Sequence, residues 1–126
     1  MSAVSYTRDA PSNGSALRSI EVFHDAARTG DYDAVVVLHG EHDVATCEAV
    51  RVALAPLYGV VLLDLVDCSF VDATVMGAVL DKVDSLDRLG YRLELRLAPG
   101  PSAVTRLLEV LEIDARIPAQ SGGWDA

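Results

Sequence analysis

Lysine is nearly missing from this chain of 126 residues: Lys82 is the only one, against nine arginines. Acidic residues number 19, so the formal net charge is −9. So few cations build no basic stripe. That argues against nucleic acid and against an anionic membrane surface as partners, because both demand clustered Lys and Arg. Cysteine is scarce too. Cys47 and Cys68 stand apart, with no Cys or His at metal-ligand spacing, and both read as reduced thiols. The three histidines, His24, His39 and His42, are scattered, so no metal site is expected. No Gly-x-x-x-x-Gly-Lys run exists to cradle a phosphate, and no cofactor is expected. Nor does any apolar run approach the ~20 residues that cross a bilayer, so no membrane insertion is expected. Residues 1–18 lack the charged start and apolar stretch of a secretion signal, which points to a cytoplasmic protein.

What is present suits one folded domain. Hydrophobic residues make up 51% of the chain, enough for a real core at this length. Residues 1–18, with Pro, Ser, Asn and Gly, read as a mobile tail, and 119–126 as a second tail. The domain between them spans 19–118. Segment 19–23 alternates in part and 34–38 is a β-branched apolar run. Both read as strands, paired as a hairpin. Gly40-Glu41-His42-Asp43 should break the second strand. From Thr46, apolar residues recur at helical spacing until Pro56, with Asp43 or Thr46 as cap. Segment 60–65 reads as a buried strand. A strand, a helix and a strand in this order make a right-handed crossover with parallel pairing.

Segment 67–72 reads as a connection into a strong helix. Val75, Met76, Val79, Leu80, Val83 and Leu86 form its apolar stripe, and Gly90 stops it. Residues 92–97 alternate strictly between charged and apolar, as in a strand near a sheet edge. Val104, Leu107, Leu108 and Leu111 mark a last amphipathic helix. The sum is an α/β domain: a mixed sheet with a parallel centre and an antiparallel N-terminal strand, flanked by three to four helices.

Partners of parallel sheets favour the carboxyl ends of the strands. Those ends carry 40–43 and 67–74, and polar residues converge only there. His42 beside Asp43 is the nearest approach to an acid–base pair, but no activated nucleophile accompanies it. The chain therefore reads as a docking module and not as an enzyme. Asp72 is a natural N-cap for the strong helix. Ala73, Thr74, Val75 and Met76 follow it at the edge, where an apolar patch with a hydroxyl suits a covering partner. The negative charge would steer in a partner with a basic face. Cys47 falls in the first turn of a helix at this edge, a position that lowers a thiol pKa and makes it the candidate redox residue.

These residues resemble the STAS domain, the fold of bacterial anti-sigma factor antagonists. Gly40-Glu41-His42-Asp43 resembles the Gly-Glu-apolar-Asp after the second strand. Leu63-Asp64-Leu65 resembles the strand before the switch loop. Phe70-Val71-Asp72-Ala73-Thr74-Val75-Met76-Gly77 resembles the signature Phe-Ile-Asp-Ser-Ser/Thr-Gly-Leu-Gly. Residues 104–114 resemble the closing helix. The resemblance spans about 19–118. It implies a regulator of transcription that binds an anti-sigma factor, often a small ATP-dependent kinase, and so frees a sigma factor. It also implies a switch: the kinase phosphorylates the Ser after the signature Asp, and the added charge breaks the complex.

Here the Ser position is Ala73, which has no hydroxyl, so the phosphorylation switch is lost at its usual place. Thr74 is then the candidate phospho-acceptor. His42 stands where the family has an apolar residue, Val75 where it has Gly, and Glu112 where a Gly would cap the last helix. Asp43, Asp72, Ala73, Thr74, Val75 and Met76 are the expected contact surface for an anti-sigma factor or related ATPase-type regulator. Alternatives are a non-switching scaffold, an accessory subunit of a regulatory or lipid-transport assembly, and a homodimer through a second copy of the chain.

Overall fold

The structure, a computed structural model, describes residues 3–8, 18–113 and 117–121. The apolar run 34–38 forms the middle of strand β3 (Ala34–His42). Strand β2 (Arg18–Phe23) pairs with it antiparallel, with Ile20 opposite Leu38 and Val22 opposite Val36. Strand β4 (Val60–Asp64) pairs on its other side in parallel, with Val36 opposite Leu63. Strand β6 (Arg92–Leu97) continues the parallel set beyond β4. Short strands finish both edges: β1 (Ala3–Arg8), antiparallel on β2, and β7 (Ala119–Ser121), parallel on β6. The order is β1-β2-β3-β4-β6-β7, and β5 (Cys68–Val71) pairs only with the end of β3. This is the mixed α/β sheet expected from the sequence, with its antiparallel start and parallel centre.

Period two decides the layers. Ile20, Val22, Val36, Leu38, Val61, Leu63, Leu93 and Leu95 share one face, as the pairings require. Helices α2 (Val44–Leu54), α3 (Ala73–Arg88) and α4 (Ala103–Val110) bury their apolar stripes on that face. The opposite face holds a smaller cluster of Phe23, Val35, Val37 and Leu62, with Tyr32 against it. That second face also carries charge, with Glu94 beside Leu62 and Arg96 beside Asp64. Tyr32 donates its hydroxyl to Glu94 at 2.9 Å.

Lys82 lies on the seam between α2 and α3. Its side chain is nearly all buried; the ammonium donates to the Ala55 carbonyl at 3.1 Å and sits 4.8 Å over the Tyr58 ring. A cation at the carboxyl end of α2 suits the helix dipole. Loss of water on burial lowers its pKa.

Several expectations need correction. Within 1–18, Ala3–Arg8 is a strand, and Arg18 begins β2; within 119–126, Ala119–Ser121 is a strand. Each is held by pairing to a neighbouring strand, a contact that local propensity does not report. Residues 1–2, 9–17 and 122–126 of the two expected tails lie outside the described residues, as do 114–116. Gly40 does not end β3; the strand runs to His42 through a register shift between Gly40 and Glu41. That shift is what lets 68–71, read as a connection, pair as β5. The polar link after β2 holds a one-turn helix, α1 (Ala26–Thr29), capped by Asp25. β6 does lie near a sheet edge as expected, one strand in, with β7 outside it.

Candidate functional site

β3 and β5 run parallel and end side by side, and each passes straight into a helix. The last residue before each helix is an aspartate in extended backbone: Asp43 before α2, Asp72 before α3. Aspartate is favoured there because its carboxylate accepts from the unpaired N–H groups of the first turn. Asp43 accepts from the Ala45 N–H at 2.9 Å, and Asp72 from the Val75 N–H at 3.0 Å. Thr74 adds its hydroxyl to the Asp72 carboxylate at 2.6 Å.

Three further bonds lace the two helix heads together. The Val44 N–H, at the start of α2, also turns to the Asp72 carboxylate. The Cys47 thiol donates to the Thr74 carbonyl at 3.5 Å. The Asp72 N–H donates to the His42 carbonyl at 3.1 Å. Burial alone would raise the Asp72 pKa. The hydrogen bonds from Thr74, Val75 and Val44 outweigh that and hold the carboxyl below its usual range.

The structure brings together Asp43, Asp72, Thr74 and Cys47, with Ala73 exposed among them. It does not bring Val75 and Met76 to the surface. Both are fully buried in the main core, because α3 turns them inward onto the sheet within its first turn. The expectation that they form part of a contact surface is corrected on that ground. Cys68 is buried as core, and burial pushes its thiol pKa up to about 11. Cys47 and Cys68 are both free thiols.

Sequence reasoning missed four residues here. Val44 is 72% exposed at the head of α2, and Phe70 is 41% exposed on β5. A hydrophobe just after a capping Asp points outward at the first helical position, and that signal was available for Val44. Arg18, assigned to a tail, pairs with Asp43 at 3.4 Å. His42, read as a loop histidine, is wholly buried between β3 and α2.

In chemical terms the edge offers contact. Val44, Phe70 and Ala73 are exposed on the elements that meet here, and so are Glu41, Glu48 and Asp67. Among the described residues no cluster of His, Cys, Asp and Glu could hold a metal ion, and no helix is long and apolar enough to cross a membrane.

No protein-family model and no curated protein matches the chain. Solved structures do. An anti-sigma factor antagonist from Mycobacterium paratuberculosis superimposes with a TM-score of 0.64 at 17% identity, over 94% of this chain and 85% of that one. The chain has the STAS fold. The anti-sigma factor antagonist SpoIIAA in its unphosphorylated form matches with a TM-score of 0.54 at 20% identity, over 71% of this chain and 80% of that one. At such identities the likeness speaks for the fold alone.

Proposed function

We propose that this STAS domain is a regulatory binding module that docks onto an anti-sigma factor, of the kinase type or a related ATPase-type regulator, and so releases a sigma factor. The observation that carries this reading is the exposed apolar surface at the joined heads of α2 and α3. Val44 and Phe70 stay open to solvent there while the apolar residues of the main cluster are packed away. Exposed apolar residues on an acidic edge suit a protein contact. The docking residues are Asp43, Val44, Phe70, Asp72, Ala73 and Thr74. The same geometry supports binding over catalysis, because the Asp72 carboxylate is taken up by its own helix heads and His42 is enclosed.

Calorimetric titration against the anti-sigma factors of the same genome tests the proposal. The expected result is saturable binding to one of them, weakened at least about tenfold by Val44→Arg, which places a bulky cation at the centre of the patch. Failure of every anti-sigma factor to bind would overturn it.

Ala73 favours a second reading, a scaffold that docks without a switch. Thr74 decides between the two. Its hydroxyl is exposed and donates to Asp72. A phosphate on it would remove that donor and set about −1.5 to −2 charges beside the Asp72 carboxylate. Incubation with a kinase-type partner and ATP, followed by intact mass and peptide mapping, separates the readings. One phosphate on Thr74 supports a switched antagonist; an unmodified chain that still binds supports the scaffold.

A further inference from the structure

We propose that the docking edge is gated by a proton on His42, and that the partner takes the chain with this imidazole neutral. The inference rests on the docking reading above. His42 ends β3, and none of its surface reaches solvent. Its Nε2 lies 2.9 Å from the His39 carbonyl and its Nδ1 3.0 Å from the Thr46 hydroxyl, in the first turn of α2. A carbonyl only accepts, so Nε2 carries the proton. Nδ1 is then bare and takes the hydrogen of the Thr46 hydroxyl. The neutral ring is thus satisfied at both nitrogens, and it ties β3 to the head of α2.

A second proton undoes this arrangement. Nδ1 becomes a donor, and the Thr46 hydroxyl must turn its hydrogen away. The acceptor left to it is the Asp43 carbonyl, at 3.3 Å a longer reach. The imidazolium would also face the positive end of the α2 dipole. Arg18, on β2, is a second cation opposing it. The Asp43 carboxylate is the counter-charge, but it already serves Arg18 and the Ala45 N–H. Asp72, at the head of α3, meets His42 through its backbone N–H. His39, on the opposite face of β3, is held by Glu21 at 2.6 Å and Asp67 at 3.5 Å. Burial, the strongest influence on His42, lowers its pKa from the ordinary 6.5. When the proton does bind, both ring bonds can persist with the Thr46 hydroxyl turned to the Asp43 carbonyl, but the charge is cut off from water beside Arg18 until the enclosure opens to it. The first turn of α2 moves with it, and that turn carries Val44 and Cys47.

Two measurements test the gate. The first is an NMR titration of the free protein from pH 8 to 5, following the histidine side chains and the backbone amides. His42 is expected to titrate below the ordinary range, with the Val44 and Cys47 amides moving in step. His39→Gln should leave that midpoint in place. Thr46→Val removes the acceptor that a protonated Nδ1 would use, and should lower the midpoint further. The second is partner affinity over the same range. It should fall about tenfold in all as the pH drops through and below the His42 midpoint, a tenfold total loss being one unit of difference between the free and bound pKa. An ordinary His42 midpoint with α2 amides unmoved overturns the gate, as does an affinity that stays level while His42 titrates. Absence of partner binding at every pH overturns the docking reading instead, and the amide titration then decides alone whether His42 controls the head of α2.

Discussion

The first turns of α2 and α3 lie side by side, each behind an aspartate cap in extended backbone, yet they are anchored by different forces. α3 plants Val75 and Met76 in the core straight after its cap. α2 leaves Val44 in solvent and turns Thr46 inward, where the hydroxyl meets His42. One head is held by apolar burial, which has no titratable part. The other is held by a short chain of hydrogen bonds that one proton can rearrange. Placing a rigid head beside a responsive one makes an edge of which only half is adjustable.

The comparison can be broken at its strong end first. Met76→Ala should cost about 2–5 kcal/mol by opening a cavity in the core, read as a lower urea midpoint at unchanged slope. A loss below 1 kcal/mol would mean that α3 is not anchored by burial. Next in size is Asp72→Ala. Losing a cap costs about 1 kcal/mol, and losing the tie to Val44 adds to it, so about 2 kcal/mol is expected. Asp43→Ala should cost only about 1 kcal/mol, since that carboxylate serves its own helix and a partly exposed Arg18. Equal losses at the two caps would show that Asp72 is not shared.

Smaller still is the pH effect. The folded His42 pKa lies below its unfolded value, so above about 6.5 both states are neutral and nothing is lost. As pH falls below that, the unfolded chain takes the proton first and stability drops until folded His42 titrates too. Wild type should therefore lose more stability between pH 7 and 5 than His42→Leu does. Identical losses would remove the asymmetry between the heads. Least of all, Val44→Ser should stay within about 0.5 kcal/mol on stability while weakening partner binding.

Much of this was legible in the sequence, and for physical reasons. The run 34–38 and the stripe from Val75 to Leu86 announce themselves because burial imposes periods of two and 3.6. Asp72 declared itself as a cap because few residues satisfy a helix start. β5 was illegible, since its pairing depends on the register shift at Gly40 and Glu41, a non-local event. Val75 and Met76 open the stripe that Val79, Val83 and Leu86 continue, so helical phasing already turned them inward, and the reading of them as contact residues went against it. His42 looked like loop because the polar pair that encloses it, His39 carbonyl and Thr46 hydroxyl, exists only once strand and helix have met. Glu112 shows the cost of departing from a pattern: it holds φ +57°, where a glycine would be at ease.

The lone lysine has a practical consequence. Within this sequence the one side-chain amine, on Lys82, is locked between the end of α2 and the Tyr58 ring. Amine-reactive reagents, lysine-specific proteases and enzymes that tag lysines all meet a target that the native fold withholds. The rate at which Lys82 is labelled is therefore a clock for the parting of α2 and α3, readable on the intact protein without any introduced probe.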